Sequence, residues 1–287
     1  MANYQIITDS CCDLTEAQIR KLDISVVKLN MLFKGELRQD SVGEDIKAVY
    51  NALREGEAAT TSAANPEHWS NAIEPFLKEG KDVLVLAFSS GLSTTYQSAV
   101  IAAGDLQEKY PERSIRVVDT LCASLGQGLL VHHTCRKRDE GLSLDELTAW
   151  VEENRLNLCH WFTVDDLMYL KRGGRVSAAT ALVGTVLKIK PVLHVDDEGH
   201  LINVTKVRGR KAAIEMLAQK MVETALPGEN DYITICHGDC LEDAEYLASI
   251  VKEKMGVKQV DIGYTGAVIG SHSGPGTLAL FFLGTKR

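Results

Sequence analysis

The 287-residue sequence predicts an α/β protein with two domains. Residues 1–158 read as a parallel-sheet α/β domain. Residues 159–287 read as an α/β domain with a mainly antiparallel sheet. Three observations carry the fold reading. In the first half, four strands each end in a small polar loop followed by a helix, the βαβ pattern of a parallel sheet with right-handed crossovers. In the second half, Lys190–Val195 and Leu201–Val207 flank Asp196-Asp197-Glu198-Gly199, a hairpin signal and hence an antiparallel pair. Helical segments near Arg210–Leu226 and Leu241–Lys254 then alternate with strands at Tyr232–Cys236 and Gln259–Ile262.

Taken in order, Tyr4–Ile7 is a short strand that ends in Thr8-Asp9-Ser10-Cys11-Cys12-Asp13, with a helix from about Thr15 to Leu22. Ser25–Phe33 reads as a second, partly alternating strand and Glu44–Arg54 as a helix. Ala59 to Asn65 reads as a polar loop, with Pro66 placed to open the next helix. Val83–Phe88 is an unbroken apolar run, as expected of a strand buried on both faces. Gly91 breaks that run, and Ser93, Thr94 and Thr95 supply hydroxyls where a helix must start. Such a turn aims backbone N–H groups and the positive end of a helix dipole above the sheet, so its natural guest is a carboxylate or phosphate. Ile115–Val118 reads as a central strand ending in Asp119-Thr120, with a helix from near Cys122. Beyond it, Cys159–Val164 is a strand, 166–175 a helix ending in two glycines, and 177–187 an apolar small-residue helix. The last segment is Gly266 to Gly276, glycine-rich and containing His272, followed by the strand Leu278–Leu283.

Ligands of open α/β sheets bind outside the carboxyl ends of the strands. Thr8-Asp9-Ser10, Thr61-Ser62, Ser93-Thr94 and Asp119-Thr120 are all expected at that edge.

Composition narrows the function. A net charge of −8 argues against general nucleic-acid binding. No apolar stretch is long enough for a membrane span, and the N-terminus lacks a basic region followed by an apolar one, so a cytoplasmic protein is expected. Seven cysteines at irregular spacings then read as reduced thiols. Cys236-His237-Gly238-Asp239-Cys240 lacks a second ligand pair and reads as a strand-end loop, so no metal and no cofactor are expected.

With these residues in view, the chain resembles the DegV family, the fatty-acid-binding proteins that serve bacterial fatty acid kinases. The resemblance runs nearly end to end. It is carried by Thr8-Asp9-Ser10, Thr61-Ser62, Ser89-Ser90-Gly91-Leu92-Ser93, Asp119-Thr120, Leu170-Lys171-Arg172-Gly173-Gly174-Arg175 and Ile269 to Gly276. It implies a long-chain fatty acid as ligand, its carboxylate held by Thr61, Ser62, Ser93, Thr94 and His272. It also implies presentation of that acid to a separate ATP-dependent kinase that forms an acyl-phosphate, the binding subunit itself doing no chemistry. Two departures stand out: Ala63-Ala64 where the family often has Gln-Pro, and Thr94-Thr95 where Gly-Thr often follows the serine.

The expected donor set contains no lysine or arginine, which would leave the carboxylate nucleophilic. Residues 171–211 carry nine basic and three acidic side chains, a net of +6, against −14 for the rest of the chain. Arg172, Arg175, Arg208 and Arg210 are therefore expected on a docking face for an acidic partner, with a transient membrane-surface contact allowed for. The competing reading is a serine hydrolase with Ser93 as nucleophile, His272 as base and Asp9 or Asp119 orienting it. Against it, Gly91-Leu92-Ser93-Thr94-Thr95 lacks the second glycine of a nucleophile elbow. A third reading is a lipid sensor or carrier with no kinase partner.

Overall fold

The computed structural model describes residues 3–43, 45–177 and 188–287. It opens with β1 (Tyr4–Asp9) and α1 (Glu16–Leu22). Thr15 fixes where that helix starts: its hydroxyl accepts from the Gln18 N–H at 3.3 Å, while Gln18 Oε1 accepts from the Thr15 N–H at 2.9 Å. The stretch expected as one strand over Ser25–Phe33 is two. β2 (Ser25–Val27) runs parallel to β1, and β3 (Asn30–Phe33) leaves that sheet to form a hairpin with β4 (Glu36–Gln39). Lys34 and Gly35 both have positive φ, the turn that antiparallel strands need. After α2 (Ile46–Arg54), the expected loop at 59–62 is β5 (Ala59–Ser62), antiparallel to β3. Its threonines and serine alternate between half-buried and exposed, a polar edge strand without the apolar pattern that would have announced it.

Then come α3 (Pro66–Lys78), β6 (Asp82–Ala87), α4 (Thr95–Lys109), β7 (Ile115–Asp119), α5 (Leu125–Asp139) and α6 (Leu144–Asn154). Pro66 opens α3 behind an Asn65 cap. The first sheet is all parallel, in the order β2-β1-β6-β7. β1 and β6 are its centre, and β7, expected there, lies at an edge.

The second half contains β8 (Leu158–Thr163), α7 (Leu167–Arg172), β9 (Ile189–Val195), β10 (Leu201–Arg208), α8 (Arg210–Thr224), β11 (Tyr232–His237), α9 (Leu241–Met255), β12 (Gln259–Tyr264), α10 (Ala267–Ser273) and β13 (Leu278–Leu283). Its sheet has the order β10-β9-β8-β13-β11-β12, antiparallel except for the parallel β11–β12 pair. The hairpin expected between β9 and β10 is present. The helix expected over 177–187 lies, beyond Ser177, outside the described residues.

Of the contacts between the halves, two shape the site most directly. Helix α5 packs closely on the second sheet at Gly126, where a Cβ would stand 2.6 Å from the Phe281 ring and also meet His160. The β6–α4 loop meets the β9–β10 turn: the Ser89 hydroxyl donates to the Gly199 carbonyl at 2.9 Å, and a Cβ on Gly91 would lie 2.8 Å from the Glu198 carbonyl oxygen. The loop that carries Ser93 is thereby seated on the second sheet.

Candidate functional site

A cavity of about 460 Å³ lies where these elements converge. Its walls are largely apolar, with Phe162, Leu170, Val195, Leu201, Ala279 and Phe281 among them. Thr61, Ser62, Ser93, Thr94 and His272 all line this same cavity. They come from three separate elements, β5, the β6–α4 loop and α10.

Each of these side chains has a local reason for its place. Ser93 Oγ accepts from the Thr95 N–H at 3.2 Å and lies 2.9 Å from Thr95 Oγ1, so it caps α4 while facing the cavity. Ser62 and Thr94 are exposed and Thr61 is half-buried. His272 was expected in a loose glycine-rich segment but sits in the last turn of α10. Its Nε2 lies 2.6 Å from Thr61 Oγ1. On its other side it packs against Gly173, where any Cβ would run into Nδ1. Burial, and then the nearby Arg175 guanidinium, pull the His272 pKa down to about 4, so the imidazole is neutral at pH 7.

The rest of the expected hydroxyl cluster braces the loops. Thr8 and Thr120 donate to the Leu86 and Ala87 carbonyls, each at 2.7 Å. Asp9 accepts from the Phe88 and Cys11 N–H groups, and Asp119 from those of Ser90 and Leu121. Ser10 donates to Asp40, which in turn accepts from the Val268 N–H in the first turn of α10.

A hydrolytic triad is not assembled. His272 bonds to Thr61, Ser93 is engaged with Thr95, and among the described residues no hydrogen bond links His272 to Asp9 or Asp119. The 236–240 loop is built from protein contacts: His237 Nδ1 accepts from the Cys240 N–H, and Cys236 Sγ accepts from the Ser124 and Thr265 hydroxyls. Asp196, Glu198 and His200 form the one group among the described residues with metal-ligand spacing; they sit on the β9–β10 turn, beside Val195 and Leu201 of the cavity lining but outside it themselves.

The expected basic face is divided. Arg208 and Arg172 are exposed. Arg210 is half-buried, with its Nε 2.8 Å from Asp243 and a second carboxylate, Asp165, at 3.7 Å. Arg175 lines the cavity, its guanidinium donating to the Leu92 and Gly173 carbonyls, because the chain folds back after α7 toward the β6–α4 loop. A cation therefore stands in the same lining as the five expected donors, contrary to the expectation of a lysine- and arginine-free site.

Further polar residues in the lining were not foreseen, His160 and Ser273 among them. His160 is buried; its Nε2 accepts from the Ala123 N–H at 3.1 Å, so Nδ1 carries the proton and donates to the Leu158 carbonyl at 3.0 Å. Burial pushes its pKa well below the usual range. Ser273 is 5% exposed, and its hydroxyl has no hydrogen-bond partner among the described residues. Its only sequence signal is adjacency to His272.

The sequence profile of the DegV family, described as uncharacterised proteins, matches residues 3–285. A DegV domain-containing protein of Clostridium perfringens is 46% identical, the match covering 100% of this chain and 99% of the other. Among solved structures, a DegV lipid-binding protein from Thermotoga maritima superposes with a TM-score of 0.86 at 31% identity, covering both chains fully. A Thermus thermophilus DegV family protein described by its fatty acid binding gives 0.86 at 32% identity, covering 97% of this chain and 98% of the other. With residues 3–285 matched by the family profile and the chain covered by relatives above 30% identity, it belongs to the DegV family.

Proposed function

We propose that this protein binds a long-chain fatty acid, with the acyl chain in the 460 Å³ cavity and the carboxylate at Thr61, Ser62, Ser93, Thr94 and His272. The observation that carries this reading is one apolar cavity whose lining gathers hydroxyls from three elements around a neutral histidine. The volume falls in the range of roughly 300–1,000 Å³ of small-molecule sites. Each methylene taken from water contributes about 0.8 kcal/mol, against about 1.5–3 kcal/mol for each hydrogen bond to the carboxylate. For a long chain the tail dominates affinity and the headgroup sets orientation. The lipid- and fatty-acid-binding roles of the Thermotoga and Thermus relatives support the same ligand class.

The second part of the proposal is that the bound acid is presented, in the cytoplasm, to a separate ATP-dependent fatty acid kinase, with this chain contributing no catalytic residue. It rests on the family membership and on the exposed Ser62 and Thr94, which put the expected carboxylate end within reach of a partner. Arg175 beside that end would stabilise the carboxylate, so the reading does not depend on a cation-free site.

The test is to denature the purified protein and identify the released small molecules by mass spectrometry. A fatty acid in roughly stoichiometric amount is the expected result. An empty protein that also fails to take up added palmitate would overturn the reading. Acyl-phosphate formation on adding the kinase and ATP to the palmitate-loaded protein tests the second part.

A further inference from the structure

Four buried hydroxyls line the cavity, those of Ser124, Thr265, Ser273 and Thr277. Three of them are committed inside the protein. Ser124 donates to the Asp13 carboxylate, Thr265 to Cys236 Sγ at 3.1 Å and Thr277 to the Gly274 carbonyl at 2.7 Å. The His160 nitrogens are likewise engaged with backbone groups. The Ser273 hydroxyl has no hydrogen-bond partner among the described residues. Its own helix supplies the contrast: two residues earlier, Ser271 donates back to the Ala267 carbonyl at 2.6 Å, the usual recourse of a helical serine. A buried hydroxyl left unpaired is destabilising, so the place asks for a partner from outside the chain.

We propose that Ser273 is a specificity subsite for a hydroxyl on the acyl chain, and that the preferred ligand is a long-chain fatty acid hydroxylated at its second or third carbon. The inference rests on the fatty-acid reading above and narrows the ligand class of that site. Ser273 follows His272 directly on α10, and consecutive Cα atoms are about 3.8 Å apart. Ile269, one helical turn back from Ser273, lines the cavity as well. A chain whose carboxylate is held at His272 therefore passes Ser273 within its first few carbons. A hydroxyl there offers both a donor and an acceptor, so it pairs with the serine in either direction. A plain acyl chain offers neither and seals the serine oxygen against methylenes. Sites that hydrogen-bond a ligand hydroxyl reject the analogue lacking it far more strongly than apolar pockets reject a change of one methylene.

The experiment titrates palmitate and its 2-hydroxy, 3-hydroxy and 16-hydroxy derivatives into wild-type protein and Ser273→Ala. The 2- or the 3-hydroxy acid should bind the wild type about tenfold more tightly than palmitate does, and that preference should shrink to within about twofold in the variant. The 16-hydroxy acid should gain nothing over palmitate. The thermal midpoint of Ser273→Ala without ligand should not fall, since no hydrogen bond within the protein is lost. A fall would show the hydroxyl bonded inside the fold and overturn the proposal. A preference that is absent from the wild type, survives in the variant or appears only with the 16-hydroxy acid overturns it too. Failure of the wild type to bind any of the four acids would instead sink the fatty-acid reading.

Discussion

The Thr61 hydroxyl and the His272 imidazole lie 2.6 Å apart, tying β5 of the small sheet to α10 of the second half. The pair is pre-organised: β5 is held in register by β3, and His272 has Gly173 behind it with no room for a side chain. If both hold the ligand carboxylate, they act as a unit. Thr61→Val and His272→Ala should each weaken palmitate binding about tenfold. The double variant should depart from additivity by about 0.5–3 kcal/mol. Calorimetric titration of the four proteins checks this, and strict additivity would separate the two residues' roles.

The tail half of the cavity makes a different demand. Ala279 on β13 is buried, lines the cavity and stands opposite Phe162 in the β8–β13 register. Ala279→Phe adds a ring where the acyl chain would run, at a folding cost of about 1–3 kcal/mol. The affinity for stearate should fall at least about tenfold more than that for decanoate, since each excluded methylene forfeits about 0.8 kcal/mol. A parallel series of titrations measures the ratio; an unchanged ratio would mean the tail does not reach Ala279.

The local patterns of the sequence were sufficient for β6, the α3 start at Pro66 and the β9–β10 hairpin, because in each a short-range rule agrees with the tertiary environment. They failed at β4 and β5, which are short, mostly polar and paired with β3 alone, and they ran the apolar β3 on from β2 as one strand. The cavity's hydroxyls were legible as a class but not individually. Thr8 and Thr120 resemble Thr61 and Ser93 in sequence, yet their hydroxyls go to strand carbonyls. Arg175 was expected on a docking face from the basic excess of residues 171–211, a charge count that does not show where one side chain goes. Only the fold shows the chain returning it to Leu92.

Asp9 belongs to a buried acidic group with Asp13 and Asp40, whose pKa values burial also raises. It is fully buried, and burial raises its pKa from 3.8 to about 7 despite hydrogen bonds from the Phe88 and Cys11 N–H groups. The unfolded carboxyl has already lost its proton by pH 6.5 while the folded one retains part of it. The Asp9 contribution to stability therefore falls as pH rises through 7. Histidines act in the opposite sense: burial lowers the pKa of His132, His133, His160, His194, His237 and His272, so the unfolded state binds their protons near pH 6.5 and their contribution rises with pH. The Asp9 effect is therefore read as a difference between two proteins. Between pH 6.5 and 8 the wild type should lose about 1 kcal/mol by urea unfolding relative to Asp9→Asn, whatever the absolute stability of either. A slope unchanged by the substitution would assign the effect to another group.

The two arginines of the β10–α8 corner separate docking from folding. Arg208 is exposed at the end of an edge strand, so Arg208→Glu should change stability by no more than about 0.5 kcal/mol. Arg210 is the partner of Asp243 and Asp165, and its side chain is only 20% exposed. Reversing it sets three carboxylates together in a half-buried corner and should cost about 1–3 kcal/mol. A kinase that docks on this face through acidic residues would lose acyl-phosphate formation with Arg208→Glu, while the palmitate affinity of that variant stays that of the wild type. The salt dependence of the coupled rate should shrink in the same variant, because a steering charge has been removed. Wild-type turnover by Arg208→Glu at low salt would exclude the β10 edge as the docking face and leave Arg172, exposed in the last turn of α7, as the arginine to reverse next.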